Sequence, residues 1–178
     1  PMIGHGQIEG VSEKYGMEYR RAYYDEKVDP WLVQRHEREI FPLAHKRYLF
    51  AGSDSFLLYD FFAGSGVDED VYAFSNRYGD ERGLVVYNNK HGGTRGWIRT
   101  SAAYAVKTGR GDDKVLVQKT LGEGLGLQPD NNQYCIFRDQ NAGLDYIRSS
   151  KELCEQGMYL ELGGYGYRVF IDFRVVMD

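Results

Sequence analysis

The chain has 178 residues, a formal net charge of −4, 42% hydrophobic and 15% aromatic residues, and 22 glycines against 4 prolines. That length suits one domain, or one domain and part of another. Charges of both signs are interleaved, so no basic face is offered to nucleic acid, and the apolar runs are too short for a membrane-spanning helix. No signal-peptide layout is visible, so a cytoplasmic location is expected unless a targeting segment lies outside this sequence. Cys135 and Cys154 do not make a disulfide framework and are expected as free thiols. The 15 tyrosines and the glycine content suit strands joined by tight turns.

In chain order, residues 1–10 (PMIGHGQIEG) read as the end of a buried strand running into a Gly-rich loop. His5 stands between Gly4 and Gly6, beside Gln7 and Glu9. Polar side chains among small residues fit a pocket rim, although an ordinary loop is the commoner reading of such a stretch. Residues 12–26 are mixed. Asp29-Pro30 predicts a helix start, because Asp caps free amides and Pro at the first position loses nothing. Val33, His36, Ile40 and Leu43 then form an apolar stripe, with Arg35, Glu37, Arg38 and Glu39 on the wet side. His36 is expected to pack. Pro42 should kink or end this helix, giving it about 12–17 residues.

From Tyr48 the texture becomes β. Phe56–Phe62 is a predicted strand. Val71–Arg77 and Leu84–Tyr87 flank a polar Tyr78–Gly83 stretch and predict a hairpin. Further strands are predicted over Trp97–Lys107, Val115–Thr120, Tyr134–Arg138, Leu144–Arg148, Met158–Leu162 and Tyr165–Val176. Gly122–Gly126 (GEGLG) reads as a turn, since no convincing helix follows it to receive a phosphate. Ser149-x-x-Glu152 is a capping-box pattern for a short helix closed by Gly157. In the last strand Tyr167, Val169, Ile171, Phe173 and Val175 alternate with Arg168, Asp172 and Arg174, Phe170 being the exception. Eight to nine strands with turns between them predict a mainly β fold. The expectation is an antiparallel Greek-key β-sandwich over residues 48–178, preceded by a loop-and-helix lead-in over 1–47.

No complete catalytic constellation emerges from the residues. The four histidines have no metal-ligand spacing on one element. Asp68-Glu69-Asp70 offers carboxylates for calcium, or a solvated turn before a strand. No Gly-x-Ser-x-Gly elbow is present. Aromatic faces that stack on sugars are a second possibility for the tyrosine-rich surface, with Trp97, Tyr104 and Tyr165 as candidates.

The order of parts resembles the end of an α-amylase-type glycoside hydrolase. Pro1-Met-Ile3, Gly6-Gln7 and Glu9-Gly10 resemble the segment at that family's eighth barrel strand, and Asp29–Arg47 its last barrel helix. The hairpin Tyr72–Arg77 with Leu84–Asn89 is similar to the opening of its C-terminal sandwich, and Leu160–Leu162 with Tyr165–Phe170 to its closing strands. There are departures: Ile8 separates Gln7 from Glu9, His5 stands where an aromatic is common, and the Val11–Lys27 loop is long. The resemblance implies a non-catalytic region, with residues 1–47 a remnant of the barrel's end and 48–178 the sandwich packed against it. The catalytic carboxylates would lie on earlier strands, and only the His5–Glu9 rim would belong to the parent's pocket. The implied parent acts on α-glucans by hydrolysis or transfer, with calcium left open. The alternative is a stand-alone carbohydrate-binding β-sandwich.

Overall fold

The computed structural model describes residues 3–4, 6–12, 23–109 and 113–178. By its internal contacts the chain divides into two compact units, Pro1–Tyr48 and Leu49–Asp178. Among the described residues no helix is long and apolar enough to cross a membrane.

In the first unit, residues 6–10 form successive turns. The Gly10 and Val11 amides donate to the Gly6 carbonyl, and the Asp29 amide donates to the Glu9 carbonyl at 2.8 Å, which ties this loop to the start of α1 (Pro30–Glu39). Asp29 caps α1 by accepting from the Trp31 and Leu32 amides at 3.0 and 3.2 Å. The single expected helix is broken. Ile40 ends α1, and α2 (Phe41–His45) starts anew with Pro42 in its first turn. The ring leaves no amide proton to continue the ladder. His36 is half-buried and its Nδ1 donates to the Leu32 carbonyl at 2.9 Å. Glu39 departs from the wet side: it is the buried residue of α1, held by Arg35 at 3.1 Å and by Arg38. Two guanidinium partners are what make a buried carboxylate tolerable. A third short helix, α3 (Arg47–Ala51), follows, its residues from Leu49 onward belonging to the second unit.

The second unit carries β1 (Leu57–Ala63), β2 (Gly66–Val67), β3 (Val71–Tyr78), β4 (Glu81–Asn88), β5 (Thr94–Ser101), β6 (Tyr104–Lys107), β7 (Lys114–Val117), α4 (Leu121–Leu125), β8 (Gln133–Asp139), β9 (Leu144–Ser149), α5 (Ser150–Glu155), β10 (Met158–Leu162) and β11 (Tyr167–Met177). One antiparallel sheet runs β10-β5-β1-β3-β4-β11-β8-β9, with β2 added to β1, while β6 and β7 form a separate hairpin. Within it, β5-β1-β3-β4 has the Greek-key order: β1, β3 and β4 follow one another across the sheet, with the two-residue β2 interposed in the chain, and β5 returns beside β1. The sheet curls strongly, so its inner surface encloses a core in the manner of a sandwich. The fold is the expected mainly β one.

The β3–β4 hairpin pairs without interruption from Val71↔Asn88 to Tyr78↔Glu81. Its loop is only Gly79-Asp80, shorter than the glycine spacing suggests. Gly79, at φ +58°, supplies the positive φ that two-residue hairpin turns require. Gly83 is not part of the turn; it sits in β4 under Phe50, whose ring lies 2.7 Å from where a Cβ would be.

Two further expectations are corrected. GEGLG is not a turn: its first four residues lie in α4, opened by a complete capping box between Thr120 and Glu123, and Gly126 caps the helix end at φ +64°. Leu121 and Leu125 are fully buried, and the tight packing of Gly122 and Gly124 outweighs their poor helix propensity. In β11 the supposed exception is a core residue. Phe170 lies opposite Leu84 and Asp139, on the inner face, and packs edge-on against Phe137 at 5.4 Å. Val169 and Ile171 are therefore on the other face, although both are buried. A bulge at Asp172, φ +55°, shifts the register between Ile171 and Arg174 and turns Phe173 back inward to stack on Phe137 at 5.1 Å.

Candidate functional site

The two margins of the curled sheet are β9 and β10, consecutive in the chain and joined by α5. Ser149 caps α5 by accepting from the Glu152 amide, and Gly157, at φ +83°, closes it, as the sequence pattern predicts. Gly157 has no alternative: a Cβ there would run into the backbone of Ile98 and Arg99. This junction leaves a cleft of about 340 Å³ along the seam.

Its floor is apolar. Phe137 and Phe170 are buried, and Tyr146 stacks on Phe137 at 5.9 Å. One lip carries Tyr146 with Arg148, whose guanidinium lies 5.6 Å from the ring centre. The other carries Trp97 and Tyr159, directly opposed across β5 and β10, edge to face at 5.5 Å. Arg99 lies over Trp97 at 5.3 Å. The Tyr159 hydroxyl donates to Glu161 at 3.0 Å, and this bond to a carboxylate holds the phenol above its ordinary range. At the end of the floor Arg168 donates to the buried Asp139 carboxylate at 2.7 Å. The other Asp139 oxygen accepts from the Asn141 and Ala142 amides and shapes the β8–β9 turn.

The sequence candidates are scattered. Trp97 is in the cleft. Tyr104 is on β6, half-buried against the core, and Tyr165 is an exposed turn residue at φ +52° whose ring neighbours His91. The structure does not bring those three rings together. His5 lies outside the described residues. Gln7 and Glu9 are exposed; the Gln7 side chain accepts from the Gly4 amide at 3.0 Å. Tyr146 and Tyr159, which do meet the cleft, carry no local signal: only cross-strand register places them.

Other chemically interesting groups are already engaged. Asp68 accepts from Lys90 at 2.6 Å and from Thr94 at 2.7 Å, and the ammonium holds its carboxyl below the usual range. A lysine thus occupies the place considered for calcium. Among the described residues no three His, Cys, Asp or Glu side chains gather as a metal cluster would. Both cysteines are free. Burial pushes the Cys135 thiol up to about 11 and raises Cys154 as well, so neither is a ready thiolate at neutral pH. Tyr59, buried and bonded to Ser75 at 2.7 Å, is pushed up to about 12 by the same desolvation.

Compared with known proteins, the chain matches no family model and finds no significant match among curated proteins.

Proposed function

We propose that this chain is a non-catalytic region of an α-amylase-type glycoside hydrolase, its β unit packing against the catalytic barrel of the parent enzyme. The observation that carries the reading is the position of the Val71–Asn88 hairpin. It is the part of the sequence that most resembles the opening of that family's C-terminal sandwich, and β3 and β4 occupy the two central places of the eight-strand order. The capped helix from Pro30 precedes it, in the family's order.

The outer face of the Greek key supports a packing role. Leu58, Phe74 and Val85 stand opposite one another across β1, β3 and β4. Phe56 packs on Phe74 at 5.6 Å, and Tyr72 lies opposite Tyr87. Phe56, Leu58 and Tyr72 are 45%, 45% and 50% exposed. Contiguous apolar surface of this kind marks an interface, because each Å² removed from water contributes about 25 cal/mol. The helix-clad outside of a (β/α) barrel is a partner of matching character.

Two measurements test the reading. The coding frame upstream of Pro1 should encode barrel strands bearing the family's three carboxylates; a frame without them overturns the proposal. The purified chain should release no reducing sugar from soluble starch; turnover would assign catalysis to the chain itself.

A further inference from the structure

We propose that the seam cleft, together with the aromatic row leading into it, binds a neutral oligosaccharide. Three strands carry Phe62, Trp97 and Tyr159 at directly opposed positions, so the three rings share the outer face of β1, β5 and β10. Trp97 and Tyr159 line both the seam cleft and the neighbouring depression bounded by Phe62 and the β1–β2 turn. The result is a strip of rings running into a cleft whose far lip is a fourth ring, Tyr146.

The lining selects the ligand class. A pyranose presents a flat face of C–H bonds and a rim of hydroxyls that both donate and accept. It therefore needs exposed ring faces with hydrogen-bonding groups of both signs around them. The cleft supplies the rings, with Arg148, Glu152, Gln156 and Glu161 about them. An anionic ligand fits less well: Glu152 and Glu161 would face it, and Arg168 is already held by buried Asp139. A purely apolar ligand would strand these charges against hydrocarbon. The cleft's size lies at the low end of small-ligand sites, which suits one or two sugar rings with the rest of the chain laid over Trp97 and Tyr159.

The ligand class follows from the residues; choosing an α-glucan as first probe rests on the family reading above. The sequence has two tryptophans, Trp31 and Trp97. Trp31 is exposed on α1, so Trp31→Phe leaves Trp97 as the sole tryptophan emitter in an intact chain. The expected result is a saturable change in Trp97 emission with maltoheptaose, weakened about tenfold by Tyr159→Ala. Tyr159 is 44% exposed on a marginal strand, and its variant should melt with the parent. A response to cellohexaose alone, equally sensitive to Tyr159→Ala, upholds the sugar site but removes the α-glucan reading. No response to any oligosaccharide up to about 10 mM, a response indifferent to Tyr159→Ala, or saturation by a nucleotide instead, overturns the inference.

Discussion

Arg168 and Asp139 meet at the inner floor of the seam, Nη1 donating to Oδ2 at 2.7 Å, with Asp139 only 1% exposed and Arg168 37%. The pair joins the β8–β9 turn to β11. Arg168→Met leaves the buried carboxylate with two amides as partners. We expect a loss of about 2 kcal/mol in urea unfolding, below the usual cost of breaking a buried pair because water reaches the arginine. Adding Asp139→Asn should return part of that loss; strictly additive effects would show that the two residues do not act as a pair.

The glycines of α4 make a second prediction. A Cβ on Gly122 would lie 2.7 Å from the Cys154 Cα, and one on Gly124 would lie 3.0 Å from Leu57 Cδ1 and overlap the Tyr59 hydroxyl. Each change to Ala should cost about 2 kcal/mol or more despite improving helix propensity. Gly52→Ala, with nothing within 4 Å, should stay within about 0.5 kcal/mol of the parent. Equal effects at the three sites would mean that close packing is not the reason for glycine.

Asp68 predicts the acid limb of stability. Its folded pKa is depressed from 3.8, chiefly by Lys90, so its contribution is present above that value and lost as pH falls through the lower folded one. Lys90→Met should weaken the protein at neutral pH and move the onset of acid unfolding upward. Because the ammonium already serves this carboxylate, millimolar calcium should shift the melting temperature by less than about 2 °C; a larger rise would place a calcium site elsewhere in the chain.

The alkaline limb is set by groups displaced the other way. Cys135 is raised from 9.0 to about 11 and Tyr59 from 10.0 to about 12. A raised folded pKa contributes stability below the ordinary value and loses it as pH climbs to the folded one. Stability should therefore fall from near pH 9 towards 12. Cys135→Ala should make the first part of that fall shallower, and Tyr59→Phe the later part, at some cost at neutral pH because Ser75 loses its partner. Urea unfolding across the alkaline range measures both slopes; unchanged slopes would mean that these groups titrate normally.

What was legible in the sequence is what local rules determine. The Asp29 cap, the β3–β4 hairpin, the β8–β9 pair and the Ser149 cap of α5 each rest on residues within a few positions of one another. The bulge at Asp172 escaped, because only pairing with β8 shows that alternation changes phase there and that Phe170 is inside. The helix at GEGLG escaped for a related reason: what Gly122 and Gly124 press against comes from α5 and β1. The cleft was half legible. Trp97 was a natural candidate, but its neighbours Tyr159 and Tyr146 come from strands 62 and 49 positions away along the numbering, and no spacing announces that meeting.

The succession β9-α5-β10 has one more consequence. Free strand margins are templates on which further chains add themselves, the usual route to fibrous deposits. Here both margins border the same narrow seam, and Arg148 and Glu161 stand along it. An incoming strand would find a cramped, charged approach, so the arrangement that shapes the cleft also discourages polymerisation.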